Sequence, residues 1–468
     1  MEINYKKIGL KSGLEIHQQL DTHKLFCDCP SILRSDEPSY EIKRTLKPVV
    51  GETGIVDIAA KHEAEQNKNF TYQVYDTNCL VELDEEPPHE INQEALKIAL
   101  QISHLLSCKI FPVAQVMRKT VINGSNTSGF QRTALIAHDG YIEISTGKIE
   151  IDAVMLEEDS ARKVNQQPTN NNQQQRPTFK LDRLGIPLVE IATGPHMHTP
   201  KEIKEAALKI GEILRACKVR RGIGTIRQDI NISIKGSERV EIKGFQDTKM
   251  MKKTIDTEIA RQQTCLKEKS CQQEVRNALP DGTTEFLRPM PGAARMYPET
   301  DVPLLKISRD LINETKKNLP KLASEHKSFL DKFGLNPELV KLILKKNKVE
   351  DFKVLIQEHN NPNLVAKMLT LFQTKPEIHI DKLEEIIEEI EKKTISENNV
   401  KTIMQKLSEG KSLKEATEKS NIDLKNEAEK LIKEKPGLSQ GAYMGLLMGK
   451  FKSQVSGKDV ADILKELL

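Results

Sequence analysis

The sequence predicts an α+β protein in which a strand-rich first part is followed by an all-α second part. Three observations carry that expectation. Sixteen of the seventeen arginines stand at or before Arg295, and beyond residue 304 only Arg309 remains among many lysines. Arginine supplies the planar fork that suits phosphate and carboxylate, so the site chemistry is expected in the first part. There, YIEISTGKIEIDAVML (141–156) reads as a hairpin and LGIPLVEIAT (184–193) as a buried strand. By contrast, IDKLEEIIEEIEKK (380–393) repeats Leu and Ile at three-to-four spacing on a charged surface, the pattern of an amphipathic helix.

In chain order, the first recognisable element is SGLEIHQQL (12–20). As a strand it alternates, with Leu14, Ile16 and Leu20 on one face and Glu15 and His17 together on the other. Two readings stand open: a solvated sheet face, or a metal or acid–base site whose partners lie elsewhere. MLEEDSARK (155–163) brings a cluster of carboxylates to the end of a hairpin strand. LDRLGIPLVEIATGP (181–195) sets Glu190 inside an apolar strand, where a carboxylate needs an ion, an arginine or a proton. RPMPGAARMYPETDVP (288–303) adds Arg288, Arg295, Glu299 and Asp301. Carboxylates with one imidazole form a hard-leaning donor set suited to Mg²⁺ or Mn²⁺, and structural ion pairing is the competing explanation. NGSNTSGFQRT (123–133) is a loop able to cradle an anion or to serve as an ordinary turn. NQQPTNNNQQQ (165–175) is a polar tract too poor in apolar residues to pack.

Composition narrows the classes. At 468 residues roughly two to four domains are expected, with ample chain for a buried core. Lys+Arg 71 against Asp+Glu 68 leaves a net charge of +3, which neither announces a nucleic-acid protein nor excludes a local basic face. No apolar run reaches the roughly 20 residues that span a bilayer, and the N-terminus has no secretory h-region. Seven cysteines show no disulfide framework, so a cytoplasmic location without membrane association is expected. EGKS (409–412) and GKF (449–451) fail the P-loop pattern.

Beyond these readings, GLEIHQQLDTHKLFCDCP, CLVELDEEPPHEIN, GSNTSGFQRT, RQDINISIKG, VEIKGFQD and LRPMPGAARMYPETDVP resemble one family over nearly the whole chain. It is the B/E (GatB/GatE) family of tRNA-dependent amidotransferase subunits, in the archaeal E form that serves glutamyl-tRNA(Gln). The resemblance implies a ligase-type enzyme that uses ATP and Mg²⁺. It phosphorylates the γ-carboxylate of Glu-tRNA(Gln) and lets ammonia displace the phosphate. The ammonia comes from an asparaginase-like D subunit, in a heterotetramer of two D and two E subunits. Carried over by position, His17, Glu158 and Glu190 are implied to hold Mg²⁺, with Glu15 adjacent as a catalytic group. Glu157 and Asp159 are candidates to orient these ligands. Arg132, Lys243, Arg288 and Arg295 are candidate substrate or phosphate clamps.

Cys27 and Cys29 are similar to the zinc cysteines of some bacterial relatives, with only Cys79 nearby to join them. The family's aspartyl-tRNA-synthetase-like insertion is missing, because TCLKEKSCQQEVRNALPDGTTEFLRP (264–289) passes straight through its expected place. The implied architecture is a catalytic cradle (1–304), a helical domain (305–410) and a small tRNA-binding tail (411–468). In that tail Gly441, Gly445 and Gly449 form one helical stripe, read either as close helix packing or as approach to an RNA backbone helped by Lys450 and Lys452. A non-catalytic tRNA-binding subunit and a dual Asp/Glu-tRNA amidotransferase are the alternative functions.

Overall fold

The computed structural model describes residues 3–51, 54–164, 177–244, 250–417, 424–451 and 457–468. The Asn/Gln-rich tract at 165–175 lies outside the described residues, as does Lys452. The chain divides into two compact units, Met1–Pro320 and Lys321–Leu468. Mixed strands and helices make up the first and helices the second, the α+β class expected from the sequence.

An 11-stranded sheet organises the first unit. Across it the strands run Thr284–Pro289, Glu274–Ala278, Val240–Lys243, Ile226–Ser233, Lys11–Gln19, Pro187–Thr193, Gly147–Glu158, Phe130–Ile144, Val116–Thr120 and Met296–Pro298, with Lys109–Ile110 added beside Phe130–Ile144. Only Val240–Lys243 and Glu274–Ala278 pair in parallel. The reason is visible in the alternation. Leu14, Ile16, Ala134, Val154, Leu156, Val189, Ile191, Ile230 and Ile232 are all buried on one face. Helices Gln93–Leu105 and Pro200–Ala216 pack there. Each fully buried Leu or Ile contributes about 1.5–3 kcal/mol. Both helices begin on a sequence-encoded cap. The Asn92 side chain accepts from Ala95 N, while Thr199 and Glu202 form a reciprocal capping box with Pro200 at the first position. The opposite sheet face holds the polar members of the same strands.

A smaller four-stranded sheet, Tyr40–Thr45, Asn69–Val74, Thr178–Lys180 and Arg162–Lys163, packs Phe70, Tyr72 and Phe179 together. This aromatic cluster bears on the loop at 123–128. A Cβ at Gly124 would lie 2.3 Å from a Phe70 ring carbon, and the residue's φ is +90°. Only glycine lets the loop approach so closely.

In the second unit the predicted helix is Ile380–Glu391, with Leu383, Ile386, Ile387 and Ile390 buried at the expected spacing. The C-terminal helices Leu424–Glu434, Gln440–Phe451 and Gly457–Leu467 share a core of Tyr443, Leu447, Val460 and Leu464. The glycine stripe does not serve that core. A Cβ added at Gly441, Gly445 or Gly449 would meet nothing within 4 Å, so the packing explanation fails among the described residues. No helix of the described residues is long and apolar enough to cross a membrane.

Candidate active site

The polar sheet face lines a cavity of about 670 Å³. Strand register explains which side chains reach it, because residues directly opposite each other share a face. His17 lies opposite Glu190 on one side and Arg227 on the other. Glu15 lies opposite Asp229. Glu190 is opposite Met155, so Glu157, two residues further along that strand, shares the face.

The His17 ring spans two carboxylate groups. Its Nδ1 is 3.7 Å from Glu190 Oε2 and its Nε2 is 4.0 Å from Asp229 Oδ2. Lys119 Nζ lies 2.5 Å from Glu157 Oε1 and 3.2 Å from Glu190 Oε2. Gln131 Nε2 donates to the other Glu157 oxygen at 3.1 Å. On the Asp229 side, Lys243 bonds Asp229 Oδ2 at 2.7 Å and also pairs with Glu241, while Asn231 donates to Glu15 at 2.8 Å.

Burial sets the protonation states. It pushes His17 down to about 4, leaving the imidazole neutral near pH 7 with a lone pair free for a metal. It raises Glu15 to about 7, helped by repulsion from Glu241 and Glu190. Glu157 is raised by burial and by Glu190. Burial would also raise Glu190, but the Lys119 charge, a hydrogen bond with Glu157 and the Lys243 charge together outweigh this and hold it below the usual carboxylate range. One ring nitrogen and two carboxylate oxygens from His17, Glu157 and Glu190 lie within 4.8 Å of one another, and Glu15, His17 and Asp229 form a second such group. Both sets are hard-leaning and fit Mg²⁺ or Mn²⁺.

The sequence-derived set is brought together only in part. Glu15, His17 and Glu190 meet in the cavity, whereas Glu158 does not join them. It points through the opposite face, where Arg132 donates to it from both its backbone N and NH1 at 3.1 Å. Glu157 occupies the place beside His17 that the resemblance gave to Glu158. Arg132 is likewise turned away from the cavity, held by Glu158 and, at 2.9 Å, by Glu299. Glu299 and Asp301 both receive Arg118. Asp159 does line the cavity, gripped by Arg227 at 2.7 Å and Gln19 at 2.6 Å.

Arg288 and Arg295 line the cavity and form no ion pair among the described residues; Arg288 donates to Pro289 O at 3.3 Å and Arg295 to Thr120 O at 3.4 Å, and their remaining N–H groups are available to an anion. Ser125 and Asn126 of the glycine-bearing loop also reach the wall. Lys119, Asp229, Glu241 and the exposed Arg239 were not singled out from the sequence. The alternation in RQDINIS and VEIK carried the signal for Asp229 and Glu241, since each stands two residues from another polar residue on an apolar strand.

Two further expectations have a definite place. Cys27, Cys29 and Cys79 come together with Glu82, all offering donor atoms within 4.8 Å of one another. Hydrogen bonding from Cys27 lowers the Cys29 thiol to about 7. Glu82 accepts from Cys27 Sγ at 3.0 Å and pairs with Lys24 at 2.9 Å. In the tail, Lys450 is exposed and pairs with Glu427 at 2.7 Å.

Comparison with known proteins matches residues 10–313 to the GatB/GatE catalytic domain. The chain is similar end to end to the E subunit of the glutamyl-tRNA(Gln) amidotransferase of Methanocaldococcus jannaschii, 38% identical with 100% of both chains covered. Its counterpart in Methanococcus vannielii is 35% identical over 98% of this chain and 97% of the relative. That of Archaeoglobus fulgidus is 33% identical over 100% and 99%. The first of these alignments extends over 633 positions against 468 residues here, so the relative carries segments that this chain omits. With the catalytic-domain match covering the whole strand-rich part and full-length similarity beyond it, the chain belongs to the GatB/GatE family.

Proposed function

We propose that this chain is the amidating subunit of a glutamyl-tRNA(Gln) amidotransferase. It activates the side-chain carboxylate of glutamate esterified to tRNA(Gln) with the γ-phosphoryl group of ATP and exchanges the phosphate for ammonia. The observation that carries this reading is a cavity that combines a neutral imidazole and inward-facing carboxylates with two guanidiniums lacking carboxylate partners among the described residues. Such a mixture suits a reaction between two anions.

His17, Glu157 and Glu190 are the residues that would hold Mg²⁺, which when bound neutralises charge on the transferring phosphoryl group. Arg288 and Arg295 bind phosphate oxygens, and Ser125 and Asn126 line the same cavity with polar side chains. Lys243, already held by Asp229 and Glu241, positions those carboxylates rather than clamping substrate. Catalytic residues are thus expected among Glu15, His17, Glu157 and Glu190.

Ammonia is supplied by a partner, an asparaginase-like D subunit, in a complex of two D and two E chains. Generating it from an amide needs an activated nucleophile. Burial pushes the Cys108 and Cys217 thiols up to about 12, which disfavours that role for them. The tail from 411 onward, with its open glycine stripe and Lys450, contacts tRNA. The three-cysteine group with Glu82 is a zinc site. The protein works in the cytoplasm.

The test is formation of glutaminyl-tRNA by the purified chain with ATP, Mg²⁺ and glutamyl-tRNA(Gln). Product is expected with ammonium salts, and none with asparagine or glutamine until a D subunit is added. Absence of ATP-dependent product even with ammonium, or robust ammonia release by the chain alone, refutes the reading.

A further inference from the structure

Lys119 is buried in the sheet yet takes no part in the roles assigned above. Its strand, Val116–Thr120, is paired on both sides, and its side chain is only 11% exposed. Nζ sits 2.5 Å from Glu157 Oε1 and 3.2 Å from Glu190 Oε2. These are the two residues whose donor atoms converge with His17 in one group. The ammonium and a divalent cation therefore claim the same two carboxylates.

We propose that Lys119 is a displaceable competitor of the divalent cation, leaving Glu190 when the ion binds and turning its ammonium toward the phosphate that arrives with it. The proposal rests on the reading that His17, Glu157 and Glu190 hold the cation. Two carboxylates can satisfy one ammonium or one divalent ion. Holding both at hydrogen-bond distance would set like charges only a few ångströms apart in a poorly solvated site. The lysine stem has four rotatable carbons and borders the cavity, so its head can move without moving its strand. Glu157 keeps a hydrogen bond from Gln131 throughout, and Glu190 keeps His17 beside it. Lysine suits this part better than arginine, whose rigid fork would bind both carboxylates and stay. The functional consequence is coupling: cation binding is weak until an anionic phosphate chain offers the displaced ammonium a new partner.

The experiment uses the full-length chain with Mn²⁺ as probe, followed by its electron paramagnetic resonance signal. Lys119→Met is expected to bind Mn²⁺ roughly tenfold more tightly than the wild type, because a competing unit charge has gone. Equal or weaker binding overturns the competition. A second measurement needs no variant: acetylation of lysines at limiting reagent, read by mass spectrometry with and without saturating Mg²⁺. Labelling of Lys119 is expected to rise with Mg²⁺ while that of exposed Lys97 stays constant. Unchanged or reduced labelling of Lys119 overturns the proposal even if Lys119→Met fails to fold. Glu190→Gln separates the two levels of the argument. Wild-type Mn²⁺ affinity in that variant refutes the cation site itself, whereas its loss alongside unchanged affinity in Lys119→Met refutes only the competition.

Discussion

Glu157 and Glu158 are adjacent in sequence and lie on opposite faces of one strand, so replacing each in turn by Gln gives a sharp test of the site. Glu158 faces Arg132, which donates to it twice at 3.1 Å, and both side chains are almost completely buried. Breaking a buried ion pair by removing one partner costs about 3–5 kcal/mol. Gln retains an acceptor for the Arg132 N–H, and Arg132 keeps Glu299 at 2.9 Å, so a cost just below that range, about 2–3 kcal/mol, applies. For a unit of this size the melting temperature should fall by roughly 5 °C. Glu157 is different. Burial and its neighbour Glu190 already disfavour its charge, so Gln relieves that repulsion; its single amide oxygen keeps the Lys119 contact and gives up the one from Gln131, while Lys119 also keeps Glu190. The expected thermal shift is within about 1 °C, while Mn²⁺ affinity and ATP-dependent amidation fall at least ~100-fold through loss of a ligand. Thermal denaturation and Mn²⁺ titration on both variants decide the matter. If Glu158→Gln abolishes Mn²⁺ binding at unchanged melting temperature and Glu157→Gln binds normally, the face assignment is wrong.

Arg288→Met and Arg295→Met should each raise the KM for ATP roughly tenfold while the protein stays folded, since neither guanidinium is held in an ion pair among the described residues; an unchanged KM would remove them from the phosphate site. Burial acts to raise Glu299, but Arg118, the backbone N–H of Asp301 and Arg132 together outweigh it and hold the carboxylate below its ordinary 4.5. A depressed folded-state value means that this stabilisation is complete above about pH 4.5 and is lost as pH falls through the folded value. Arg118→Met should therefore shift acid unfolding to higher pH, and an unchanged midpoint by circular dichroism would contradict the linkage. Protein purified without chelators should carry about one zinc per chain by elemental analysis and lose it in Cys79→Ser; metal-free wild-type protein would leave the thiols without a zinc role.

Period-two alternation made part of this site legible. GLEIH put Glu15 and His17 on one face, and the apolar neighbours of Glu190 marked it as an inward carboxylate. The choice between Glu157 and Glu158 was not legible, because it depends on a pairing with Leu188 and Pro187 that closes across thirty residues. A shift of one residue turns every side chain to the other face, so local pattern alone cannot assign adjacent carboxylates. Lys119 was hidden for the same reason. In VMRKT two cations stand side by side, and only the strand register sends Arg118 to Glu299 and Lys119 to Glu157. Lys243 looked like a free clamp because its captors, Asp229 and Glu241, become neighbours only across the sheet and along its own strand. Cys79 joins Cys27 and Cys29 through a long-range contact that no spacing rule encodes.

The stretch at 264–289, which the resemblance marks as the place of an inserted domain, runs straight through here and contributes Arg288 to one wall of the cavity. Helix Met251–Glu268 closes on Lys269, whose φ of +53° turns the chain. Strand Glu274–Ala278 then pairs directly with Val240–Lys243, and the next strand brings Arg288 back toward the cavity. This corner is braced from within. Glu258, fully buried on the helix, accepts from Arg261 at 2.7 Å and from Thr284 at 3.0 Å, and Arg276 of the intervening strand donates to Thr284 at 2.8 Å. The wall that positions Arg288 is therefore braced by residues of this chain just before and within 264–289.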